Sequence, residues 1–123
     1  MKRRCLVVDD DEMVRVLIRL CLPSEDFEIV AEATNRVEAV EAAASARPDL
    51  VLIDLVLARD DGLATIADVR AILPDASIVV LSGMPVDKVE SACLSAGADH
   101  YLTKSVVGEI SGVLTGLLGP RTP

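Results

Sequence analysis

Four apolar runs in this chain end in residues that can do chemistry. Cys5–Val8 is followed by Asp9, Asp10, Asp11 and Glu12. Acids packed side by side repel unless a cation sits among them. Capping and the dipole of a following helix account for one or two of the four. Asp54 is the only charge between Leu50 and Ala58. An ionised carboxylate in such a run must be paired, metal-bound or at a strand end facing water. Ile78–Leu81 ends in Ser82-Gly83, a hydroxyl and a residue that lets backbone approach an anion, although Ser-Gly is also an ordinary turn. His100–Thr103 ends in Lys104. A lone lysine there is usually solvated, but beside carboxylates it is a candidate counter-ion.

At least three carboxylates, a hydroxyl and an ammonium suit phosphoryl transfer. Carboxylates hold Mg²⁺, which keeps waters and takes phosphate oxygens as further ligands. The metal neutralises charge as the phosphoryl group moves. A carboxylate can be the nucleophile and become an acyl phosphate. A lysine and a hydroxyl can then bind the phosphoryl oxygens.

These residues need elements to bring them together. Cys5–Val8, Leu50–Ile53 and Ile78–Leu81 are too short for helices and lack polar alternation, so they suit strands buried on both faces. Phe27–Ala31 is more mixed and suits an edge strand; His100–Thr103 is a weaker fifth. Between them, Met13–Leu22 puts Val14, Leu17, Ile18 and Cys21 on one face and Arg15 and Arg19 on another, before Pro23. Asn35 and Glu38 resemble a capping box for a helix running to about Arg47. Leu63, Ile66, Val69 and Leu73 mark a third helix, Val86–Ala96 a fourth ended by Gly97, and Val106–Leu118 a fifth. Strand and helix alternate five times, which argues for an α/β fold: a parallel sheet with helices on both faces. In such sheets ligands bind outside the carboxyl ends of the strands.

The chain has 123 residues, enough for one domain, read here as residues 1–123 with a flexible tail at 119–123. Aromatics are 2%, so the core is aliphatic and stacking surfaces for flavin or single-stranded nucleic acid are lacking. A net charge of -8 disfavours nucleic acid and anionic membranes. Cys5, Cys21 and Cys93 are scattered without a CxxC and read as core residues in a reducing compartment. The N-terminal apolar run is too short for a signal peptide, and no stretch nears a membrane span. A cytoplasmic protein is expected.

LVVDDDE, LVLIDLVLARDDG, VVLSG and the YLTK segment, in this order and spacing, resemble the receiver domain of two-component response regulators, from about Arg4 to Leu118. The resemblance implies a flavodoxin-like, doubly wound five-stranded sheet of order 2-1-3-4-5 flanked by five helices. It implies that Asp54 accepts a phosphoryl group from a sensor histidine kinase or a histidine phosphotransfer protein. Asp10 and Asp54 then resemble the Mg²⁺ carboxylates, with Asp9 alongside and the Val56 carbonyl as a main-chain ligand. Ser82 resembles the switch hydroxyl, Lys104 its partner lysine, and Tyr101 the aromatic that changes rotamer. Such a domain assists its own phosphorylation and dephosphorylation but turns over no diffusible substrate.

Two positions depart from the family. Ala58 stands where Pro is common in the loop after the acceptor, and Ser105 where Pro often follows the lysine through a cis bond. A cis bond before a non-proline costs about 3 kcal/mol. The Lys104–Ser105 geometry is therefore open, and Ser105 is instead a candidate cap for the fifth helix. That helix also carries Gly108, Gly112 and Gly116 opposite its apolar face. They fit either a weak terminal helix or a close-packing surface. In the family, the fourth helix, fifth strand and fifth helix form a common surface for output partners or a second copy. Other readings are a small aspartate-nucleophile phosphatase, from the Asp-x-Asp of Asp9 and Asp11, a flavodoxin-like cofactor module, and a degenerate receiver acting only as an interaction module.

Overall fold

The computed structural model describes residues 2–57 and 60–119, and of Lys88 the backbone alone. Ala58 and the tail beyond Gly119 lie outside the described residues. Five strands, β1 (Arg3–Val8), β2 (Phe27–Ala33), β3 (Leu50–Ile53), β4 (Ser77–Ser82) and β5 (His100–Thr103), form one parallel sheet in the order β2-β1-β3-β4-β5. That is the order the resemblance implies, with β2 on an edge.

Alternate residues of each strand feed two cores. Leu6, Val8, Val51, Ile53, Ile78 and Val80 pack on the side of α2 (Arg36–Ala46), α3 (Gly62–Ile72) and α4 (Val86–Ala96). Cys5, Val7, Leu50, Leu52, Val79 and Leu81 pack on the side of α1 (Glu12–Cys21) and α5 (Ile110–Leu118). A strand covered on both faces has no use for polar alternation, so the sequence runs are continuous. Cys5 and Cys93 are buried, and burial raises both thiols above their ordinary value. No helix among the described residues is long and apolar enough to cross a membrane.

The helix ends follow their local chemistry. Asp11 caps α1 by accepting from the Met13 N–H, and Asp61 caps α3 through Leu63 and Ala64. Asn35 accepts from the Glu38 N–H as expected, but the Glu38 carboxylate turns back to Thr34, at 2.8 Å from its N–H and 2.7 Å from its hydroxyl. Only half of the capping box forms. Gly97 ends α4 at φ 126.

Two further expectations need correction. The fifth helix starts as a 3-10 turn, Lys104–Glu109, and becomes α-helical only at Ile110. Such turns are frequent at helix starts, and Gly108 weakens any longer α-helix there. Ser105 is not a cap: its hydroxyl lies 2.7 Å from that of Thr103, inside the turn. No cis peptide occurs among the described residues. The sequence also gave no sign of a two-residue antiparallel ladder, Val56–Leu57 with Asp60–Asp61, after β3.

Candidate functional site

The carboxyl ends of β1, β3, β4 and β5 meet at one end of the sheet. Asp9 follows β1, and its N–H donates to the Ala33 carbonyl on β2. Asp54 follows β3, and its N–H donates to the Val8 carbonyl. The sheet ladder thus seats both Cα atoms beyond the apolar strands. Asp9 is 2% and Asp54 5% exposed. Of the buried side chains with polar or charged groups, Asp9, Asp54 and Ser82 stand at strand ends, and Thr65 lies in α3. Thr65 donates to the Asp61 carbonyl inside α3.

Lys104 is the counter-charge. Its ammonium donates to Asp54 Oδ2 at 2.9 Å and lies 3.2 Å from Asp9 Oδ2. Burial alone would lower the lysine, but the two carboxylates outweigh it and hold it above its ordinary value. Burial also raises Asp9. The Asp11 N–H pulls it back, the nearby charge of Asp54 raises it further, and Lys104 lowers it. The remaining oxygens have backbone partners: Asp9 Oδ1 accepts from Asp11 N–H at 2.9 Å and Asp54 Oδ1 from Val56 N–H at 3.1 Å.

Asp10 is exposed at the rim, yet one oxygen from each of Asp9, Asp10 and Asp54 can lie within 4.8 Å of the others. Three such oxygens suit a hard divalent cation. Val56 is exposed beside them, bound through its N–H to the Asp54 carboxylate. Asp11 caps α1, its Oδ1 accepting from the Met13 N–H at 2.9 Å.

Ser82 and Tyr101 are joined through a residue the sequence did not single out. The Ser82 hydroxyl accepts from the Met84 N–H at 3.2 Å, and the Tyr101 hydroxyl donates to the Met84 carbonyl at 2.8 Å. Ser82 is fully buried and Tyr101 nearly so. Both side chains thus bond the backbone of Met84, Ser82 at its N–H and Tyr101 at its carbonyl.

The chain matches the response regulator receiver domain family over residues 5–110. It is 38% identical over 120 residues to a chemotaxis protein CheY of Halobacterium salinarum, covering 94% of this chain and 99% of that one. Its fold is similar to the receiver domain of the putative response regulator NarL from Mycobacterium tuberculosis, with a TM-score of 0.84, 28% identity and 98% of each chain covered. It is also similar to a response regulator from Burkholderia pseudomallei described with a phosphorylated aspartic acid, calcium ion and citrate. There the TM-score is 0.76 and the identity 26%, over 99% of this chain and 78% of that one.

Proposed function

Because the chain belongs to the response regulator receiver domain family, we propose that Asp54 is the residue through which its phosphorylation-activated signalling runs. The observation that carries this reading is the Asp54 carboxylate itself: buried beyond β3, beside two further carboxylates, and held by the Lys104 ammonium at 2.9 Å.

An Asp54 oxygen attacks the phosphorus of a phosphohistidine. The P–N bond breaks, its electron pair stays on the imidazole nitrogen, and a P–O bond forms to give an acyl phosphate. Lys104 leaves its ion pair to bind phosphoryl oxygens, and Ser82 turns from Met84 to do the same. Tyr101 follows through the Met84 carbonyl. Asp9, Asp10, Asp54 and the Val56 carbonyl would hold Mg²⁺, which supplies charge neutralisation at the phosphoryl oxygens. Donors of this chemistry are a sensor histidine kinase or a histidine phosphotransfer protein. The chain acts as a phosphoacceptor switch that assists its own phosphorylation and its own dephosphorylation by hydrolysis of the acyl phosphate.

The test uses acetyl phosphate as a small donor. The purified chain is expected to take up one phosphoryl group per molecule with Mg²⁺ and none with a chelator in excess. Uptake indifferent to Mg²⁺ counts against the metal assignment, and no uptake from acetyl phosphate or from a phosphohistidine donor counts against the whole reading.

The output surface is assigned to α4, β5 and α5. Leu94 and Leu117 are exposed there, and nothing lies within 4 Å of a Cβ placed on Gly112 or Gly116. A Gly112→Leu chain is expected to lose self-association or partner binding. If both are unchanged, the surface lies elsewhere.

A further inference from the structure

We infer that Arg15 is a positioning residue for the metal-binding carboxylates, fixing the peptide unit that joins Asp9 to Asp10. The inference rests on the reading of those two residues as Mg²⁺ ligands. Pairing of β1 with β2 ends at Val8↔Ala33, and beyond it the Asp9 N–H still reaches the Ala33 carbonyl. The next carbonyl, that of Asp9, has left the ladder. Arg15 Nη1 donates to it at 2.7 Å.

That carbonyl and the Asp10 nitrogen belong to one planar unit. Holding the oxygen fixes the plane, and the plane sets where the Cα atoms of Asp9 and Asp10 aim their side chains. Arg15 is itself held. Its Nε lies 3.1 Å from Glu32 Oε1 on β2, while Arg19 Nη1 lies 3.1 Å from Glu32 Oε2. The Arg15 side chain is only 15% exposed. A planar fork can serve a carbonyl and a carboxylate together, which an ammonium cannot do in the same geometry. The clamp therefore runs from β2 through α1 to the end of β1, directly beneath the acidic turn. Outer partners of this kind commonly set how well a metal is held.

Charge and geometry predict opposite signs. Removing a positive charge near three carboxylates should tighten a divalent cation on Coulomb grounds. Loosening the Asp9–Asp10 peptide should weaken it. The experiment is a Mg²⁺ titration of the full chain without any phosphoryl donor, followed by amide NMR shifts at residues 9–11. Arg15→Met is expected to weaken Mg²⁺ about tenfold. Arg15→Lys keeps the charge and is expected to lose less, yet measurably. Arg19→Met removes the ion pair to Glu32 Oε2 and leaves the Arg15 bond to the Asp9 carbonyl in place, and is expected to stay within about twofold.

Equal or tighter binding in a folded Arg15→Met overturns the inference, as does an equal loss in Arg19→Met. If Arg15→Met does not fold, Arg15→Lys decides, and wild-type affinity there overturns it. A wild-type chain whose residues 9–11 ignore Mg²⁺ removes the metal reading and this inference with it. A wild-type chain that binds while Arg15→Met binds as well removes this inference alone.

Discussion

Asp54→Asn is expected to slow phosphoryl uptake from acetyl phosphate by at least about a thousandfold. Asparagine has nearly the same shape. Its oxygen can still accept from the Val56 N–H, and Lys104 keeps Asp9 as a partner. The pocket should therefore survive while its nucleophile is lost, since a neutral amide oxygen attacks phosphorus poorly. Uptake at the wild-type rate, in a variant with wild-type circular dichroism and unfolding midpoint, would move the acceptor to another residue.

The second large effect is on stability. Gly62→Ala is expected to cost about 4 kcal/mol, read from the urea unfolding midpoint. A Cβ on Gly62 would overlap the Leu55 carbonyl oxygen, a backbone atom that cannot rotate away. The surrounding chain has little freedom to yield. Asp61 caps α3 through Leu63 and Ala64, its carbonyl accepts from Thr65, and it pairs with Val56 across the short ladder. Any shift of Leu55 reaches its neighbour Asp54, so labelling should slow in whatever fraction folds. Gly112→Ala is the control. It meets open space on an exposed helix face and should be neutral or stabilising by up to about 1 kcal/mol. A loss under about 1 kcal/mol at Gly62 would contradict the geometry.

The strand ends were legible in the sequence because burial makes charge conspicuous. Asp54 interrupts an apolar run, and Asp9, Ser82 and Lys104 close runs of the same kind, so each could be picked out without coordinates. The structure places all four at one end of the sheet. Helix boundaries were legible where a cap or a breaker marks them, as at Asn35, Pro74 and Gly97.

Contacts between distant backbone and side chains left no such mark. Arg15 was one of two arginines placed off the apolar face of the first helix; its use is visible only when the Asp9 carbonyl leaves the ladder above it. Met84 was not singled out at all, because what matters there is its backbone N–H and carbonyl. Gly62 sat in a readable Asp-Asp-Gly signature, but its reason is the Leu55 carbonyl seven residues earlier. Ser105 misled because a serine before a helix pattern usually caps it, whereas here the 3-10 turn has already begun.

The central claim is a location, and reduction tests it most directly. Treating the phosphorylated chain with borohydride converts an aspartyl phosphate to homoserine, which peptide sequencing by mass spectrometry can place. Homoserine at position 54 alone is the expected result. Homoserine at position 9, 10 or 11, or a stable phosphate carried by Ser82 or His100 in place of any reducible one, would contradict it.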